Sequence, residues 1–90
     1  MQKDLTMPEL SRFYGIIIRM FNIDNEHPPR HIHIKYNEYQ AVMEIDTLNI
    51  IEGSLPKKAR ILTREWAELH QEELGEIWDT QNFHKISPLE

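Results

Sequence analysis

The chain predicts an α+β domain: a four-stranded antiparallel β-meander with a C-terminal helix, broken near Gly75, packed on one face. Three observations predict it. Residues 13–52 hold short runs rich in β-branched and aromatic residues, separated by polar turn pairs. The second half changes period, with Ala59, Leu62, Trp66 and Leu69 recurring at helical spacing. Between them, His27-Pro28-Pro29-Arg30-His31-Ile32-His33-Ile34 alternates as a strand after its prolines, with His31 and His33 on one face and Ile32 and Ile34 on the other.

Each element has a local reason. Residues 1–10 are polar and carry Pro8, so residues 1–6 are expected as a disordered extension. Residues 13–21 read as the first strand, and residues 22–29 as a loop closed by two prolines that fix φ and remove two backbone donors. The second strand covers residues 30–36. Asn37-Glu38 is a tight turn, residues 39–45 the third strand, Asp46-Thr47 a second turn and residues 48–52 the fourth strand. Gly53 ends the sheet. Ser54 is the expected N-cap, and Pro56 suits the first helical turn, where its missing N–H is not needed. The apolar stripe runs on into Leu74, Ile77 and Trp78, while Gly75 weakens the helix between residues 71 and 75. Residues 83–90 form a tail. The 90 residues make a single domain.

Two-residue turns set the register. Tyr36 then faces Tyr39, Ile34 faces Ala41, Ile32 faces Met43 and His31 faces Glu44. Met43 faces Ile50 and Val42 faces Ile51. One sheet face is continuously apolar (Tyr14, Ile16, Ile18, Met20, Ile32, Ile34, Tyr36, Ala41, Met43, Ile45, Leu48 and Ile50), and the helix should cover it. The other face mixes His31, His33, Lys35, Gln40, Glu44 and Asn49 with Phe13, Ile17, Arg19, Phe21, Val42 and Ile51. A domain this small has no second layer for that face. Phe13, Ile17, Arg19, Val42 and Ile51 are therefore the expected protein–protein interface.

Composition narrows the chemistry. With no cysteine there is no disulfide, no thiolate nucleophile and no cysteine-held zinc. A net charge of −5 argues against broad nucleic-acid binding, and the cluster Lys57, Lys58, Arg60 and Arg64 reads as the polar side of a helix. No apolar run approaches a membrane span or signal peptide, so a cytoplasmic location is expected. His27, Arg30, His31, His33 and Glu44 form the candidate functional surface. Imidazoles beside a carboxylate suit a divalent metal or acid–base work, with His31, His33 and Glu44 as the ligands of such a site. That alternative, a metal-binding or hydrolytic enzyme using His27, His31, His33 and Glu44, stands against a plain cross-strand histidine–glutamate contact. Parity places Arg30 on the helix side, away from the two strand histidines. No cofactor is expected, and an interaction role is preferred to an enzymatic one.

Several segments together carry a resemblance: Met7-Pro8-Glu9-Leu10-Ser11-Arg12-Phe13-Tyr14-Gly15-Ile16, His27-Pro28-Pro29-Arg30-His31-Ile32-His33, Tyr39-Gln40-Ala41-Val42 and Arg64-Glu65-Trp66-Ala67-Glu68-Leu69-His70. Over residues 7–89 the chain resembles the bacterial family known as domain of unknown function 4160. The resemblance implies little about chemistry. It implies a component of a toxin–antitoxin-like pair, since members are often encoded beside another small domain. The bare sheet face itself calls for a partner protein or a homodimer.

Overall fold

The computed structural model describes residues 8–21 and 28–90. It contains the antiparallel meander and the broken C-terminal helix, with five strands in the sheet. Strand β1 is Glu9–Phe13, β2 Ile16–Arg19, β3 His31–Tyr36, β4 Tyr39–Glu44 and β5 Ile50–Gly53. They lie in the order β1-β2-β3-β4-β5, each antiparallel to the next. Helices α1 (Lys57–Leu69) and α2 (Gln71–Thr80) follow. The extension expected at residues 1–6 lies outside the described residues.

The extra strand comes from a turn inside the run read as one strand. Tyr14 and Gly15 both have positive φ, 51° and 83°, as primed two-residue hairpin turns require. Phe13 therefore pairs directly with Ile16 and shares its face. This corrects the placement of Phe13 on the open face: it is buried, with its ring centroid 5.5 Å from that of Trp66. Tyr14 moves the other way, from the core face to an exposed turn. A register shift between Glu9 and Ser11 accommodates Leu10, and both Leu10 and Ser11 are buried.

The central register agrees with the sequence expectation. Tyr36 faces Tyr39, Ile34 faces Ala41, Ile32 faces Met43 and His31 faces Glu44. Asn37 takes the positive φ of that turn, 54°, which asparagine tolerates. The next connection is longer than two residues. The Leu48 N–H bonds to the Glu44 carbonyl, and the Glu44 N–H bonds to the Asn49 carbonyl. Met43 still faces Ile50, but a bulge brings Glu52, not Ile51, opposite Val42. Ile51 is the extra residue. Gly53 then has φ 75°, and a Cβ there would sit 2.2 Å from the Gln40 carbonyl oxygen, so only glycine fits.

The helices cover the face that holds Ile16, Ile18, Ile32, Ile34, Met43 and Ile45, all buried. Burying each such side chain contributes roughly 1.5–3 kcal/mol. Pro56, rather than Ser54, occupies the cap position of α1, and its carbonyl accepts the Arg60 N–H at 2.9 Å. The Ser54 N–H instead prolongs the sheet ladder to the Gln40 carbonyl. The buried stripe of α1 is Ala59, Thr63, Trp66 and Ala67, and Leu69 is exposed. The break falls at His70, and Gly75 lies inside α2.

The tail docks at the β1 edge. The Ile86 N–H donates to the Leu10 carbonyl at 2.7 Å, Ile86 is buried, and the Trp66 indole N–H donates to the Ser87 carbonyl at 2.8 Å. Phe83 and Leu89 pack partly buried against the same core. The tail thus thickens the layer over the covered face of the sheet.

Candidate functional site

The second sheet face is built from cross-strand rows. Arg19, His33, Val42 and Glu52 stand in register across β2 to β5, beside a second row of Ile17, Lys35 and Gln40. Together with Phe21 these residues line a shallow depression of about 430 Å³. Ile17, Phe21 and Val42 are half-buried and form its apolar floor, and Lys35, Gln40 and Glu52 are exposed around it.

Aromatic rings connect this face to the helical layer. Phe21 lies against His33 with centroids 4.1 Å apart, His33 meets His31 edge-on at 5.1 Å, and His31 lies 5.0 Å from Trp78 of α2. His31 is only 8% exposed. Its Nδ1 lies 2.6 Å from the Pro29 carbonyl oxygen. A carbonyl only accepts, so Nδ1 carries the proton and His31 serves as an anchor at the start of β3. The Pro28–Pro29 peptide bond just before it is cis.

The four candidate surface residues among those described do not converge. His33 is on the open face and His31 is buried at its end. Glu44 is opposite His31 in register, but its Oε1 accepts the Thr47 hydroxyl at 3.2 Å, closing the following turn. Arg30 reaches the helical layer, as its parity predicts. Its Nη2 donates to Asp46 Oδ1 at 2.6 Å and its Nη1 to Asp79 Oδ2 at 3.0 Å and the Gly75 carbonyl at 3.3 Å. The hydrogen bond to Asp46 comes first in raising the Arg30 pKa above, and lowering that of Asp46 below, their ordinary values. His27 lies outside the described residues. Among the described residues no three histidine, aspartate or glutamate side chains gather as a metal site.

The predicted interface residues divide in a similar way. Ile17, Arg19 and Val42 are on the open face, Ile51 sits at its β5 edge with 47% exposure, and Phe13 is in the core. At the opposite edge Glu9 holds Arg12 at 2.8 Å and approaches Arg19 at 3.9 Å and Lys85 at 3.8 Å. The Arg12 hydrogen bond comes first in keeping the Glu9 carboxyl below its usual range, and partial desolvation opposes it. Sequence reasoning did not assign Glu52 to this face, because the bulge that turns it there leaves no separate compositional mark. It also left out the contact of Trp78 with His31. Trp78 has the helical spacing of a core residue, and α2 carries it to the end of the sheet.

These observations define a small α+β domain with a one-sided meander sheet and a mixed apolar and charged open face. The family model described as domain of unknown function (DUF4160) matches residues 15–79, and the chain belongs to that family. No curated protein and no solved structure matches the chain. No helix among the described residues is long and apolar enough to cross a membrane.

Proposed function

We infer that this domain is a protein-interaction module that binds a partner through the open face of its sheet. The observation that carries the reading is the one-sidedness of the layers. Both helices and the tail pack on the same side, while Ile17, Phe21 and Val42 line the other with only partial cover. An apolar floor rimmed by both signs of charge suits a protein surface better than a phosphate backbone, which needs one sign. A cytoplasmic role as one half of a toxin–antitoxin-like pair fits a small domain whose surface, rather than a cleft, is its distinctive feature. The metal-binding or hydrolytic alternative has weaker support. His31 is buried with its Nδ1 hydrogen engaged, and Glu44 accepts from Thr47.

Size exclusion with light scattering, on the wild type and on Ile17→Asp and Val42→Asp, tests the reading, together with recovery of partners from the native host. A homodimer or a stoichiometric complex that both substitutions dissolve, with helical content unchanged, is the expected result. A monomer with no partner, or a complex indifferent to both substitutions, would overturn it.

A further inference from the structure

The two edges of the sheet are finished differently. The β1 edge is closed by the tail through the Ile86 N–H. Strand β5 is the other terminal strand, with only β4 beside it, so among the described residues one row of its backbone groups has no neighbouring strand. An edge in that state is a template for an added strand.

The surroundings of β5 specify what kind. Lys57, Arg60, Ile61 and Arg64 occupy positions i, i+3, i+4 and i+7 of α1 and form one stripe. A groove of about 510 Å³ runs between that stripe and the strand, lined by Leu48, Ile50, Arg60, Ile61 and Arg64 among others. Ile61 is 51% exposed in the middle of the cations. Arg64 is tethered by its bond to the Leu48 carbonyl at 3.1 Å and lies 3.5 Å from Glu68. Lys57 and Arg60 make no side-chain ion pair or hydrogen bond among the described residues. On a chain of net charge −5 this is a concentration of positive charge against the overall sign.

We propose that the groove between β5 and α1 binds an extended acidic segment of a partner protein, added to the β5 edge as a sixth strand. Side chains of an added strand alternate between the two sides of the sheet. Acidic residues at every second position would meet Lys57, Arg60 and Arg64, and apolar residues between them would meet the exposed Ile51. A second copy of this chain is a poorer occupant. Two-fold pairing of β5 with itself puts both α1 helices on one side of the joined sheet, with cationic stripe facing cationic stripe. The shortness and bulge of β5 limit the contact to a short segment and discourage open-ended stacking. This surface shares only the rim residue Ile51 with the open face, and the charged stripe of α1 that selects the segment lies outside that face, so either assignment stands without the other.

The test uses the intact chain and a fluorescein-labelled peptide of alternating glutamate and valine, with a lysine–valine counterpart. Anisotropy should show saturable binding of the acidic peptide only. Amide shift changes should concentrate in residues 48–53 and 57–64. Arg60→Glu, at an exposed helical position, should weaken binding of the acidic peptide by about tenfold or more, whereas Ile17→Asp should leave binding unchanged. No binding at about 1 mM peptide, equal binding of both peptides, or shift changes centred on Ile17, His33 and Val42 would overturn the proposal. So would a concentration-dependent dimer dissolved by Arg60→Glu, which assigns the groove to a second copy. Displacement of the peptide by a single-stranded oligonucleotide of higher affinity would assign it to nucleic acid.

Discussion

Replacing Gly75 with alanine should fail to stabilise this domain, although alanine is the better helix former. Gly75 is buried within α2, where the exchange alone would stabilise by about 1 kcal/mol. A Cβ at that position, however, would lie 2.9 Å from Arg30 Nη1 and 3.1 Å from Nη2. The tip of the guanidinium must shift by a few tenths of an ångström, which weakens its already long 3.3 Å bond to the Gly75 carbonyl. Weakening that partly buried bond costs about 1 kcal/mol. The ion pairs to Asp46 and Asp79 sit on exposed carboxylates and add little to that loss. The net expectation for Gly75→Ala is a stability change near zero, with Tm moved by less than about 4 °C. The decisive comparison is a double-mutant cycle. With Arg30→Ala already in place the new methyl meets no guanidinium, and Gly75→Ala should stabilise by about 1 kcal/mol, a gain absent from the wild-type background. Urea unfolding of the four proteins, with the m-value checked for constancy, measures it. An equal stabilisation by Gly75→Ala in both backgrounds would refute the argument that Arg30 dictates glycine.

Three further outcomes are expected. Ile34→Asp should leave the chain unfolded by circular dichroism, because it buries an unpaired charge beneath the helices, whereas His33→Ala should fold normally; a folded Ile34→Asp protein would contradict the strand parity. Thr63→Val should raise stability by about 1 kcal/mol in chemical denaturation, since the buried Thr63 hydroxyl has no hydrogen-bond partner among the described residues. The third concerns His84, whose Nε2 lies 2.9 Å from Glu73 Oε2 and whose Nδ1 lies 3.3 Å from the Asn82 carbonyl. Glu73 first, then the Asn82 carbonyl, raise the His84 pKa above 6.5, with Glu76 adding a small contribution and His70 also facing Glu73. His84 in turn comes first in lowering the Glu73 pKa from 4.5. The stabilisation from His84 is full below 6.5 and fades as pH rises through its raised folded value. That from Glu73 is present above 4.5 and fades as pH falls through its depressed folded value. Imidazole NMR titration should find His84 above 6.5, returning toward it in Glu73→Gln; an unshifted His84 would disprove the tie.

The parts of the fold legible in the sequence are those where local and global signals agree. Tyr36 and Tyr39 flank a turn marked by asparagine, so the parity of β3 and β4, and with it the core positions of Ile32, Ile34, Ala41 and Met43, could be counted outward from it. Strand β1 was hidden because Glu-Leu-Ser-Arg-Phe lacks a clean alternation and its bulge buries both Leu10 and Ser11. The Tyr14-Gly15 turn was hidden because tyrosine seldom occupies a positive-φ position, and the surrounding apolar run masked it. At the candidate site, parity separated Arg30 from His31 and His33 correctly. It could not show that Arg30 finds its partners on α2, or that Trp78 reaches His31. Those contacts depend on how the helical layer lies across the end of the sheet, and no period within one strand encodes that.

The hydrogen bond between Ile86 and Leu10 joins residues far apart in the sequence. During synthesis the first hairpin emerges before the tail, and its outer margin stays unsealed until residues 83–89 have followed. Loss of residues 83–90 would therefore do more than trim a surface. It would reopen that margin and withdraw the carbonyl that holds the Trp66 indole, making indole emission a direct report on whether the tail is docked.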